Sequence, residues 1–89
     1  MTKHVRITGY VQGVSFRSSL KSIAESYRVT GWTRNLRTGQ VEAVLQGAPS
    51  GVEEVLKWCR SGPELASVLD VEVKDIAEPK RYRNFVILH

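Results

Sequence analysis

The chain has 89 residues, enough for one small domain (1–89) with the limited core that size allows. Its 42% hydrophobic and 8% aromatic content suits an ordered globule, and no apolar run approaches the roughly 18 residues of a membrane span. A net charge of +4 and a pI near 9.6 leave nucleic acid, a membrane surface or a small anion open as partners.

Met1–Arg6 lacks the apolar stretch of a signal peptide, so a cytoplasmic protein is expected. A first strand is predicted from Lys3 to Tyr10, with Val5, Ile7 and Gly9 on one face. Gly9 to Phe16 then forms a strand-to-helix turn in which Gly13 can take a backbone angle other residues resist. The first helix is predicted from Phe16 to Arg28, because Phe16, Leu20, Ile23, Ala24 and Tyr27 recur at helical spacing. Its opening turns carry Arg17 and Lys21 and no acid before Glu25. A cation there opposes the helix dipole by roughly 0.3–1 kcal/mol. Arg17 is therefore either a solvated surface residue at a tolerated cost or one side of an anion site formed with the turn amides.

Val29–Asn35 is rich in β-formers and reads as the second strand, with Leu36–Gly39 as a hairpin turn. Strand three, Gln40–Gln46, sets Val41, Ala43 and Leu45 against Glu42, Val44 and Gln46. The second helix is predicted from a Ser50 cap to Arg60, Ser50 and Glu53 forming a capping box with acids in the first turn. Cys59 joins Val52, Val55 and Leu56 on its apolar face and reads as a buried thiol, not a nucleophile. Ser61-Gly62-Pro63 ends that helix. Strand four, Ala66–Asp75, places Leu69, Val71 and Val73 inward. Lys80-Arg81-Tyr82-Arg83 is the one basic cluster and reads as a solvated loop. Phe85–Leu88 is a candidate short fifth strand.

The order β-α-β-β-α-β predicts an α+β, ferredoxin-like split βαβ sandwich: an antiparallel sheet with two helices on one face. The strand order is 4-1-3-2. Tyr10 and Asn35 then end parallel strands with one strand between them, roughly 10 Å apart. Alone, Asn35 reads as an ordinary strand-end or turn residue.

Gly9-x-Val11-Gln12-Gly13-Val14-x-Phe16-Arg17, followed by Gly31-Trp32-x-Arg34-Asn35 and Gly39-x-Val41-Glu42, resembles the acylphosphatase family. The likeness continues through Gln46-Gly47 and Gly62-Pro63 and covers nearly the whole chain. Ser15, Thr33 and Thr38 are substitutions within or beside these motifs. The resemblance implies the same fold and strand order. It assigns Arg17 and the loop of Val11, Gln12, Gly13, Val14, Ser15 and Phe16 to the substrate phosphate, and Asn35 to the attacking water. It implies an acyl phosphate as substrate, with inorganic phosphate as product and competitive inhibitor.

The residues agree with that chemistry by what they lack. Val11 stands where a cysteine phosphatase would carry its nucleophile six residues before the arginine. There is no Gly-Lys-Ser/Thr of a nucleotide loop and no carboxylate cluster for magnesium. The histidines, His4 and His89, lie at the chain ends. A carboxylate leaving group, whose acid has a pKa near ~4, departs without a general acid. The expectation is a metal-free, cofactor-free monomeric acyl phosphate hydrolase with no nucleic-acid or membrane partner. Two rivals are an RNA-binding ferredoxin-like domain, which would need an aromatic sheet motif this chain lacks, and an anion-binding module without turnover.

Overall fold

Two helices lie across one face of a five-stranded sheet in the computed structural model, which describes residues 1–89. The elements are β1 (Thr2–Tyr10), α1 (Phe16–Ser26), β2 (Thr30–Asn35), β3 (Val41–Gln46), α2 (Pro49–Cys59), β4 (Ser67–Asp75) and β5 (Phe85–Ile87). The sheet order is β4-β1-β3-β2-β5.

The four long strands pair antiparallel, but β5 joins the β2 edge in parallel, Gly31 opposite Phe85 and Thr33 opposite Ile87. The sheet is therefore mixed and not antiparallel throughout. The physical reason is a set of tertiary tethers. Leu88 N–H donates to the Thr33 carbonyl at 2.8 Å, and Lys21 Nζ donates to the Phe85 carbonyl at 2.7 Å. Phe85 is buried within the core.

Alternation along the central strands builds that core. Val5 and Ile7 on β1 and Val41, Ala43 and Leu45 on β3 are fully buried beneath the helices. From above, α1 contributes Phe16, Leu20 and Ala24, and α2 contributes Val52, Val55, Leu56 and Cys59. Phe16 meets Trp58 at a centroid distance of 5.3 Å, joining the two helices. Burying a side chain such as Phe16 is worth about 1.5–3 kcal/mol.

Three expected details shift. α1 stops at Ser26, because Arg28 turns left-handed (φ 57) and Val29 N–H reaches back to the Ala24 carbonyl at 2.8 Å. α2 starts earlier, on an extended Ala48 with Pro49 in the first turn, so Ser50 is not the cap and no acid lies in that turn. Proline fits there because its missing N–H would have no helical partner. On β4 the inward residue is Val68, while Leu69 is 78% exposed; Val71 and Val73 do pack inward. A bulge between Thr8 and Gly9 moves the register by one residue. Gly9 permits it: a Cβ there would lie 2.1 Å from the Ser67 carbonyl oxygen.

Candidate active site

The link from β1 to α1 is pinned by its apolar residues and open along its backbone. Val11, Val14 and Phe16 are buried in the core, whereas Gly13 and Ser15 between them face solvent. Gly13 and Ser15 both have left-handed backbones (φ 76 and φ 63). At Gly13 this is easy; at Ser15, the helix cap, a side chain is present and makes no capping hydrogen bond. The consequence is a run of free donors. From Gln12 to Ser18 no backbone N–H finds an acceptor in the protein, and Ser19 N–H is the first, to the Ser15 carbonyl. With the open helix end, these amides form a site with the polarity to hold an anion.

Around them is a cleft of about 250 Å³. Val11, Gly13, Ser15, Phe16, Arg17 and Asn35 all line it. Gln12 and Val14 do not. The Gln12 amide instead donates to the carbonyls of Leu36 and Gln40 at 2.7 and 2.9 Å, tying the loop to the β2–β3 hairpin. Only its backbone remains for a ligand.

Arg17 makes one hydrogen bond, from its guanidinium to the Leu88 carbonyl at 3.2 Å, and no ion pair. It is thus partly a clasp on the segment after β5, with most of its donors unspent. Asn35 is exposed, and its side chain makes no internal hydrogen bond. It ends β2 opposite Val41, so its position is set by paired backbone. Arg34, beside it, faces the other way, bonding Glu42 at 2.6 Å and lying 5.4 Å over the Trp32 ring.

One cleft residue is unexpected. Because β5 runs parallel to β2, its continuation carries Ile87 and His89 to the same wall. His89 is at the far end of the sequence from Arg17, and although Phe85–Leu88 reads as a short strand, nothing in the sequence sets its pairing with β2, so no signal placed His89 here.

The other notable titrating groups lie elsewhere. Burial pushes the Cys59 thiol up to about 12, which fits a core residue and not a nucleophile. Burial would raise the Glu42 carboxyl, but hydrogen bonds from His4 and Arg34, then their charges, outweigh it and hold it below the ordinary range. No three His, Cys, Asp or Glu side chains gather as a metal-ligand set. A larger cleft exists at the opposite end of the sheet, but it has neither the free amide run nor Arg17 and Asn35.

The sequence profile of the acylphosphatase family matches residues 3–87. An acylphosphatase of Trichormus variabilis is 49% identical over 94% of this chain and 82% of its own. The solved acylphosphatase of Coxiella burnetii superposes with a TM-score of 0.93 at 36% identity, covering 98% of this chain and 90% of that one. HypF of T. kodakarensis matches 99% of this chain with 12% of its own, at 28% identity and a TM-score of 0.86.

Proposed function

Since the chain belongs to the acylphosphatase family and hydrolyses acyl phosphates, we propose that it does so by direct attack of a positioned water on phosphorus. The observation that carries this mechanism is the run of unpaired N–H donors from Gln12 to Ser18, set beside Arg17 and Asn35 in one cleft.

The amides and the Arg17 guanidinium hold the phosphoryl oxygens, with two of the guanidinium N–H groups gripping side by side. Asn35 accepts a hydrogen bond from water and donates to a phosphoryl oxygen, fixing the nucleophile in line with the leaving group. The new P–O bond forms as the bond to the acyl oxygen breaks, releasing the carboxylate. The proton lost by water passes to a phosphoryl oxygen. Because the leaving group is a weak base, near pKa ~4 for its acid, its departure needs no proton donor. The protein's contribution is orientation and electrostatic stabilisation of the transferring group. Every group in this mechanism comes from one chain, so the reaction requires no residue of a second copy. Inorganic phosphate occupies the same amides and inhibits competitively. His89 also lines this cleft, and the reaction does not require it.

The test separates binding from turnover at Asn35. Asn35→Ala keeps the phosphate inhibition constant within a few-fold and lowers the turnover number by roughly 10²–10³, the effect of losing one aligned polar group. Asn35→Asp fails as well, since a carboxylate cannot donate and repels the phosphate. Equal loss of binding and turnover would put Asn35 among the phosphate ligands; unchanged turnover would remove it from the mechanism.

A further inference from the structure

The end of the sheet remote from the free amides holds a cleft of about 480 Å³. Its base is paired backbone, since Thr2, Gln46 and Thr30 are register partners on β1, β3 and β2. The length of β2 sets it about 17 Å from the Asn35 end, at ~3.3 Å per residue.

The basic cluster of the 79–83 segment is built into this cleft and is not a free arm. Gln46 Nε2 donates to the Lys80 carbonyl at 2.7 Å, and Gln46 Oε1 accepts from Tyr82 N–H at 2.8 Å. Gly31 N–H pins the chain just beyond it by donating to the Asn84 carbonyl at 2.9 Å. Across from this wall stands Arg28, fixed where α1 turns left-handed into β2.

Three side-chain cations, Arg28, Lys80 and Arg81, therefore line one concavity together with the Met1 ammonium, and no carboxylate does. None of the three has an ion-pair partner; the ion pairs of the protein use Lys3, His4, Lys21 and Arg34. Arg83 lies in an adjoining hollow that Arg28 also lines. Of the acids nearby, Glu25 is taken by Lys21 and Asp75 by Lys3, while Glu78 precedes the segment outside the lining. Unpaired like charges around one hollow repel one another, and an anion placed among them turns that repulsion into attraction. Two of the three are guanidinium groups, whose planar forks match phosphate oxygens. Several cations spread around one open concavity suit a ligand with several charges along a short chain better than a single orthophosphate or carboxylate.

We propose that this cleft is a second anion site, which binds a polyphosphate chain, free or as the triphosphate of a nucleotide. It is independent of the hydrolytic reading.

The test tracks backbone amide NMR signals of the full chain during titration with inorganic tripolyphosphate and, separately, with ATP, at constant ionic strength. Saturating shifts are expected at Arg28–Thr30, Gln46–Gly47 and Lys80–Arg83, at concentrations where sulfate moves them less than a tenth as far. Lys80→Ala combined with Arg81→Ala changes exposed side chains only. It weakens this binding at least tenfold and leaves acyl phosphate hydrolysis unchanged. Equal affinity for the two ligands assigns recognition to the phosphate chain; tighter ATP binding adds the nucleoside, within reach of Tyr82. Shifts confined to the 11–18 loop, shifts that never saturate, an unchanged response in the double variant, or tighter binding of a single-stranded RNA would each overturn the proposal.

Discussion

Arg17 serves two ends of one side chain. One guanidinium N–H holds the Leu88 carbonyl, the others have no partner in the protein, and the residue lines the cleft. Removing it costs that exposed hydrogen bond but also takes a cation from the positive end of α1, two terms of similar size and opposite sign. Arg17→Ala is therefore expected to stay within about 1 kcal/mol of the parent in urea unfolding, while losing phosphate inhibition and nearly all turnover. A stability loss of several kcal/mol would make the clasp its main role. Cys59 gives the opposite pattern. Its thiol is buried and pushed up to about 12, so a thiol reagent at pH 8 leaves the native protein unlabelled. Cys59→Ala costs about 1 kcal/mol from a small cavity and preserves turnover of the folded protein. Inactivation at full stability would contradict that. At this scale the sequence was legible where chemistry and spacing coincide. Arg17 stood out as a cation in a helix's first turn, and Asn35 needed the motif around it. His89 was invisible, because its place depends on a strand pairing that three residues cannot announce.

Among the elements, the buried faces of β1 and β3 could be read from alternation at Val5, Ile7, Val41, Ala43 and Leu45. On β4 the same rule named Leu69 where the structure buries Val68, because alternation cannot see a bulge set by backbone contact at Gly9. At α2, Ser50 has the side chain of a cap, but Pro49 before it already fits the first turn. The solvent-side face of the sheet also holds a testable ion cluster. Glu42 of β3 is bonded by His4 of β1 at 2.7 Å and Arg34 of β2 at 2.6 Å, joining three strands. Its carboxyl is held low in the folded state, so its contribution is fully present above the ordinary carboxylate pKa and is lost as pH falls through the lowered folded value. Glu42→Gln should be less stable than the parent by about 1–2 kcal/mol at pH 7, from charged hydrogen bonds weakened. The gap between the two urea midpoints should narrow steadily below pH 4. A gap independent of pH would mean that shape, not charge, matters at this position.

For the whole molecule, the split βαβ order explains why residues far apart in sequence meet. Parallel strands β1 and β2 end on the same side, and the loop after β1 carries the free amides towards Asn35. That convergence was readable from element order alone, and so was a short strand at Phe85–Leu88; its parallel pairing with β2 and the walls of the second cleft were not, since both depend on side chains such as Lys21 and Gln46 reaching distant carbonyls. The donor set supports one prediction at this scale. With no grouping of three candidate metal ligands anywhere in the chain, turnover should be unchanged by EDTA. Activity lost to the chelator and restored by a divalent cation would refute a reaction carried by amides, Arg17 and Asn35 alone.

The short strand β5 has one more effect. Without it β2 would be the sheet's outer edge, a six-residue row of open backbone groups able to recruit a strand from another copy. Phe85 in the core and the Lys21 and Arg17 bonds to the Phe85 and Leu88 carbonyls keep that edge occupied. The helix whose first turn lines the cleft thus also holds the three-residue strand that shields β2, and loosening its grip would give the sheet a second long open edge besides β4.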